Sequence, residues 1–216
     1  VAVAGILCLG LPETARAVEG GGAGWVGVTL RAPFAERYAF LLEIEPRFFE
    51  RPERAQVVLL RPWFEVALAH GLSVALGYDA LVALSPEARQ EHRLWQQLAH
   101  RHAFDSVATV AQLRLEQRFF SEVASVSIRA RLRGGIEVPI VREVGFVLDD
   151  ELFLSFNEIP SFDPAGPSEN RLIVGFSWGP REWARALLGY QNQWLRQLDL
   201  INHTLLLRLA FELPTS

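Results

Sequence analysis

The residues with the most chemistry in them recur at a spacing of two. Arg114, Glu116 and Arg118 alternate with Leu113, Leu115 and Gln117, and Arg129, Arg131 and Arg133 alternate with Ile128, Ala130 and Leu132. Guanidinium forks bind carboxylates and phosphates in bidentate fashion. A set of them on one surface can do one of two things. It can line a path for an anionic or sugar-like solute, with the one-sign lining tuning selectivity. Or it can pair with carboxylates of the same surface, Glu91, Glu116 and Glu151 neutralising Arg93, Arg114 and Arg131. The candidate polar network is Glu91, Arg93, Arg114, Glu116, Arg118, Arg129, Arg131, Glu151, Asn157 and Arg171. Arginines outnumber carboxylates among the strand positions that share this parity, which predicts a net positive lining around 91–133. A barrel of ten to twelve strands has limited lumen once Arg side chains fill it, and that weighs toward the paired network.

Other chemistries find less support. His203 shares the aliphatic parity of its segment, where a wall-mounted lipid hydrolase would carry its histidine. Ser125 and Ser127, however, share the opposite parity of Arg129, so no Ser–His pair forms. Glu116 and Glu151 could act as acid and base on a glycan, but carboxylates among arginines are salt-bridged more often. His100-x-His102 offers two metal ligands where a site needs three or four. Gly20-Gly-Gly22 lacks the strand–helix setting of a phosphate loop. The expectation is a small pore or envelope structural component with no catalytic residues, no cofactor and no metal, the alternative being an outer-membrane enzyme acting on lipid or glycan.

Alternation of this kind is a property of β-strands, whose successive side chains point to opposite faces. Eleven such segments can be read: 25–32, 37–47, 56–68, 72–80, 91–97, 112–118, 127–133, 147–157, 170–178, 182–194 and 201–211. Pro62 predicts a local bulge or weak pairing inside the third, and Gly134-Gly135 a kink or bulge late in the seventh. Helical periodicity is not convincing anywhere. Strands of about ten residues alternating apolar and polar are the signature of a transmembrane β-barrel. Links after the first, third, fifth and ninth strands read as short and those after the fourth and eighth as longest. Short links suit a periplasmic side and place the C-terminal end there. Single-chain bacterial barrels have even strand numbers, so the expected fold is an all-β, antiparallel up-and-down transmembrane barrel of twelve strands, with ten as the alternative.

Composition agrees with that setting. Of 216 residues half are apolar and 21% charged, and the net charge is −4. That balance gives no case for nucleic acid. All 21 basic residues are Arg. Nine aromatics near strand ends (Trp25, Trp63, Phe64, Tyr78, Phe119, Phe120, Trp178, Trp194, Phe211) suit the girdles of a membrane barrel, facing outer-membrane lipid. Cys8 is the sole cysteine, so no internal disulfide forms. It lies in the apolar run Val1–Leu11, followed by Ala15-Arg-Ala17, which reads as a truncated secretory signal over 1–17. Residues 18–24 read as a flexible Gly-rich lead-in and 25–213 as the barrel.

A run of motifs occurs in order: Glu91-x-Arg93-x-Trp95-Gln-Gln, Arg114-Leu-Glu-Gln-Arg118, Arg129-x-Arg131, Glu151-x-Phe-x-x-x-Asn157, Asn170-Arg-Leu-x-x-Gly175, Gly189-Tyr-x-Asn-Gln193 and Asn202-His203. Over Trp25–Phe211 the chain resembles an uncharacterised family, a domain of unknown function, of Gram-negative outer-membrane β-barrel proteins. The resemblance implies a porin-like fold in the bacterial outer membrane, inserted by the barrel-assembly machinery, and assigns no catalytic residue. The tail Glu212–Ser216 departs from the terminal aromatic that this machinery reads.

Overall fold

The computed structural model describes residues 19–50, 56–85, 89–160 and 162–214. Residues 1–17, expected as a secretory signal, lie outside them. The described chain is eleven strands: β1 (Glu19–Ala35), β2 (Tyr38–Phe49), β3 (Gln56–Ala67), β4 (Leu72–Ser85), β5 (Arg89–Phe104), β6 (Val107–Phe120), β7 (Val126–Val141), β8 (Val144–Ser155), β9 (Gly166–Arg181), β10 (Ala184–Leu195) and β11 (Leu200–Glu212). Each pairs with its sequence neighbour in antiparallel register, and β1 closes the barrel against β11.

That closure corrects the expected count of twelve or ten. An odd number of alternating strands leaves the first and last running the same way. β1 and β11 do pair parallel, from Glu19↔Leu200 through Arg31↔Glu212. The eleven alternating segments were all the strands among the described residues, and the even-number rule was the step that failed. β1 also begins earlier than its alternation suggested. Residues 19–24, expected as a flexible lead-in, are part of the strand. Glycine weakens a strand through its entropy and missing side chain, but here β11 pairs with the backbone from Glu19 on, and β2 with it from Ala23 on.

Connections differ between the two rims. At one rim the links 36–37, 68–71, 105–106, 142–143 and 182–183 are tight. Gly71 shows why one of them needs glycine: at φ 76° it approaches Arg101 so closely that a Cβ would lie 2.0 Å from that carbonyl oxygen. At the other rim the links are generally longer, up to 156–165. The link after β4, expected long, is only 86–88 because both flanking strands run further than their alternation. Pro62 interrupts the β3–β4 ladder without shifting register, since Leu60↔Ala80 and Trp63↔Gly77 stay in phase. The expected bulge at Gly134-Gly135 is absent: both ladders of β7 run through it unshifted. Gly135 serves packing instead, as its Cβ would sit 2.3 Å from Asp149 Oδ2.

Polarity is inverted relative to a water-soluble barrel. Leu113, Leu115, Leu132, Leu148, Leu188 and Leu205 are exposed on the outer wall, while Glu116, Asp79 and Gln191 are completely buried inside. Six of the nine aromatics placed at strand ends fall on the outward parity, but Trp25, Trp63 and Phe120 turn inward. Trp25 is 1% exposed beneath the Arg47 guanidinium, Trp63 meets Trp95, and Phe120 meets Phe162. Trp63 shares the parity of Arg61 and Phe120 that of Arg118, so position near a strand end does not by itself put an aromatic on the outer face.

Candidate functional site: the paired interior

Alternation on β5 to β9 delivers the predicted polar residues to the interior. Arg93, Arg114, Glu116, Arg118, Arg129, Arg131, Glu151 and Arg171 are buried there, and Glu91 lies at the rim with a side chain 15% exposed. Asn157 stands apart. Its amide accepts from the Ile128 N–H and donates to the Val126 carbonyl, holding the start of β7 rather than joining the charged network.

The pairs form both between neighbouring strands and between alternate residues of one strand. Glu91 accepts from Arg93 at 2.7 Å and from Arg118 at 2.5 Å. Glu116 accepts both Nε and Nη2 of Arg129, at 2.9 and 2.6 Å. Arg131 donates to Glu151 at 2.5 Å, and Arg171 to Glu169 at 2.6 Å. Of the three expected pairs, Glu91–Arg93 and Glu151–Arg131 form. Arg114 does not take Glu116 as its main partner. It donates twice to Gln97 Oε1, at 3.0 and 2.7 Å, with Glu116 at 4.0 Å. Arg131 also lies between Glu116 and Glu151, so both carboxylates are committed to guanidinium groups rather than facing one another as an acid and base.

A second cluster fills the wall of β2 to β5. Arg61 bridges Glu43 at 2.8 Å and Asp79 at 2.8 and 2.9 Å, and the Trp95 indole donates to Asp79 at 2.7 Å. Trp95 is fully buried, with the Arg114 guanidinium 3.9 Å above its ring. Gly77 makes this possible, because a Cβ there would fall 2.1 Å from Trp95 Cζ2.

The expected positive lining does not survive. Among the described residues nine buried carboxylates face eight buried arginines. The sequence parity had found the arginines and missed Glu65, Asp163 and Glu169. Asp163 is the most telling of these, since it lies on no long strand. The link 156–165 folds back so that Asp163 accepts from Arg118 at 2.6 Å, from Ser127 at 2.5 Å and from Ser155 at 2.8 Å. This loop covers part of the long-link rim, and Arg196 ties it to the β10–β11 turn through the carbonyls of Ala165 and Pro167. Beneath it lies a cavity of about 210 Å³ bordered by Arg118, Arg129, Asp163, Glu169 and Leu198.

Along β10 and β11 the interior changes character. Gln193 donates to Glu169 at 2.5 Å, and Asn202 donates to Gln193 at 3.4 Å. Deeper in, Gln191 and Thr204 face each other across the ladder, fully buried. Both polar atoms of the Gln191 amide, Thr204 Oγ1 and Asn202 Oδ1 have no protein partner. Trp25, Ile173 and Leu206 close the seam with an apolar floor.

On the outer wall, His203 accepts or donates at Tyr190 Oη, 2.6 Å away, and Tyr78 with His92 repeats the arrangement at 2.5 Å on the β4–β5 side. Ser127, 0% exposed and bonded to Asp163, points the other way. His100 and His102 stack on each other beside Phe104 at the short-link rim.

No curated protein and no solved structure matches the chain. Residues 22–201 match the model of a family described as a protein of unknown function (DUF2490), and the chain belongs to that family.

Proposed function

We propose that this chain is a bacterial outer-membrane barrel whose interior is closed by ion pairs, an envelope component rather than an open pore. The inverted polarity carries the reading. A soluble monomer rarely exposes a contiguous apolar patch beyond a few hundred Å², whereas here every strand has its own outward Leu, Val, Ile or Phe positions. The height fits as well. The shortest strands have 12 residues, which at ~3.3 Å per residue and a tilt of ~40° rise ~30 Å, close to a bilayer's hydrocarbon core. Outer-membrane lipid is then the partner of the outer wall, and the barrel-assembly machinery the partner in biogenesis. With the tight links facing the periplasm, the mouth covered by 156–165 faces the exterior.

The closed interior follows from the pairing. A conducting lumen needs unpaired polar lining and water, but here the guanidinium groups of Arg114, Arg118, Arg129 and Arg131 are held by carboxylates or amides of adjacent strands, and those of Arg93 and Arg171 by glutamates of their own strands, at hydrogen-bond distance. An anionic solute in transit would have to displace them. Two measurements test this reading. Expressed with a secretory leader, the protein fractionates with the outer membrane and shows heat-modifiable mobility on gels; recovery in the soluble fraction would overturn the membrane reading. Purified protein in planar bilayers gives no stepwise current, and regular conductance steps would overturn the closed one.

A further inference from the structure

On the outer wall β1 offers a strip of bare backbone. Gly20, Gly22 and Gly24 hold three successive outward positions of that strand, in register with Ile201, His203 and Leu205 of β11. On the other side Gly24 pairs with Phe48, and the Glu50 carboxylate bends over Gly22 and accepts its N–H at 3.2 Å. The result is an open furrow of about 480 Å³ bordered by Gly22, Gly24, Phe48, Glu50 and Gln56, far more than one water fills at ~30 Å³.

The furrow is graded in polarity. At the level of Gly22, nearer the long-link rim, Glu50 and His203 flank it. One pleat further down, at Gly24, its flanks are the exposed side chains of Phe48 and Leu205. His203 presents a donor to it. Asn192 donates to Tyr190 Oη at 3.5 Å, and Tyr190 Oη lies 2.6 Å from His203 Nδ1. The phenol hydrogen is thereby directed to Nδ1, which leaves the imidazole hydrogen on Nε2. Nε2 is turned to β1, 3.7 Å from where a Gly20 Cβ would sit. Tyr78 and His92 repeat the pair at the same rim, but His92 is in register with Ala80 and Phe119, so side chains flank it on both sides.

We propose that this furrow binds one phospholipid with an ammonium headgroup. The phosphate accepts from His203 Nε2–H, the ammonium pairs with Glu50, and an acyl chain lies on Gly24 between Phe48 and Leu205. The proposal rests on the outer-membrane reading above and adds a specific lipid to it. The groups stand in the order a lipid has in a leaflet, polar at the rim and apolar toward mid-height. The spacing fits too. β11 and β2 lie two strand spacings apart, about 9.5 Å, which a phosphate and its ammonium span with a hydrogen bond at each end. Bare glycines let the chain reach the backbone closely, as small residues do between packed membrane segments. An anionic lipid without the ammonium would meet the Glu50 charge as a repulsive element.

The test is native mass spectrometry of the whole barrel in non-ionic detergent, mixed with phosphatidylethanolamine, phosphatidylglycerol or lipid A at equal concentration. Wild type is expected to retain one phosphatidylethanolamine and to hold the other two about tenfold less, the scale of one hydrogen bond to a charged group. Gly24→Leu fills the furrow from a position where a Cβ meets nothing within 4 Å, and is expected to cut phosphatidylethanolamine retention about tenfold. Gly134→Leu makes the same change at an equally open, exposed position on β7 and leaves retention unchanged. Glu50→Gln is expected to remove the preference over phosphatidylglycerol. Heat-modifiable mobility checks the fold of each variant, and the exposed Glu50→Gln decides alone should Gly24→Leu not fold. No retained lipid, wild-type retention in Gly24→Leu, equal losses in Gly24→Leu and Gly134→Leu, an unchanged preference in Glu50→Gln, or tighter binding of an anionic lipid would overturn the proposal. A barrel that fractionates with the outer membrane and conducts no current, yet retains no phosphatidylethanolamine, sinks this inference alone.

Discussion

Removing the charge of Glu116 is the sharpest perturbation of the interior. This carboxylate is fully buried, accepts two bonds from Arg129 and has the Nη1 atoms of Arg114 and Arg131 at 4.0 Å each. Glu116→Gln keeps the shape and leaves three guanidinium groups around a neutral amide. Losing one partner of a buried pair costs about 3–5 kcal/mol. The lower end applies here, because Arg131 keeps Glu151 and Arg114 keeps Gln97. With a urea slope of about 2 kcal/mol/M, a loss of about 3 kcal/mol moves the unfolding midpoint down by about 1.5 M. Reversible urea titration of the barrel in lipid vesicles reads it through tryptophan fluorescence, with Trp95 lying against Arg114 as a local reporter. Glu116→Gln/Arg129→Met removes both charges and is expected to recover at least half of the loss, since contacting residues couple strongly. A single-variant shift under about 0.5 M, or a double variant less stable than the single, would refute the idea that pairing across strands holds the interior together.

Three further outcomes follow from the same geometry. Leu115→Arg places a charge midway along the outer face of β6 and costs about 2–4 kcal/mol in vesicles, against about 0–1 kcal/mol for Val107→Arg near the short-link rim; equal effects at the two sites would take hydrocarbon away from the wall. Asp163→Ala removes the acceptor shared by Arg118, Ser127 and Ser155 and exposes 156–165 to limited proteolysis, so an unchanged digestion pattern would show that Asp163 does not tie the loop down. Gly77→Ala drives a Cβ into the Trp95 ring and breaks the bond to Asp79, destabilising by at least about 2 kcal/mol; a wild-type urea midpoint would contradict it.

Much of this fold is legible in the sequence because a strand's period is short and strict. The side of the sheet on which Arg114, Glu116, Arg129 and Arg131 lie follows from spacing alone, as does the outward placement of Leu113 and Leu115. What period two cannot supply is the partner across the ladder, which depends on register between strands. Glu116 lies two residues from Arg114 and Arg118 in sequence, yet its closest pair is Arg129 on β7, its register neighbour. Trp95 and Gly77 show the same limit: they are register partners on adjacent strands, and only that pairing explains why a glycine sits in the middle of β4. Asp163 was beyond reach for a different reason. It belongs to a loop without periodicity, and its three partners come from three different strands.

This separation between direction and partnership decides what an arginine-rich parity means. A lining that passes anions and a lining that neutralises itself have the same alternation, the same residue types and the same share of each strand. They differ in whether a carboxylate stands within hydrogen-bond reach of each guanidinium, and the carboxylates can come from anywhere in the chain. Here they came from β3, β9 and the folded-back loop, as Glu65, Glu169 and Asp163, and turned an apparent positive excess into near balance. The neutral seam of β10 and β11 carries the converse lesson. Gln191, Asn202 and Thr204 look unremarkable beside the arginines because they have no charge, but they hold buried hydrogen-bonding atoms that no neighbouring strand satisfies. Arg114 Nη1, Glu116 Oε1, Arg131 Nε and Glu151 Oε2 are in the same position, so matching the charges of a barrel interior and satisfying its hydrogen bonds are separate conditions.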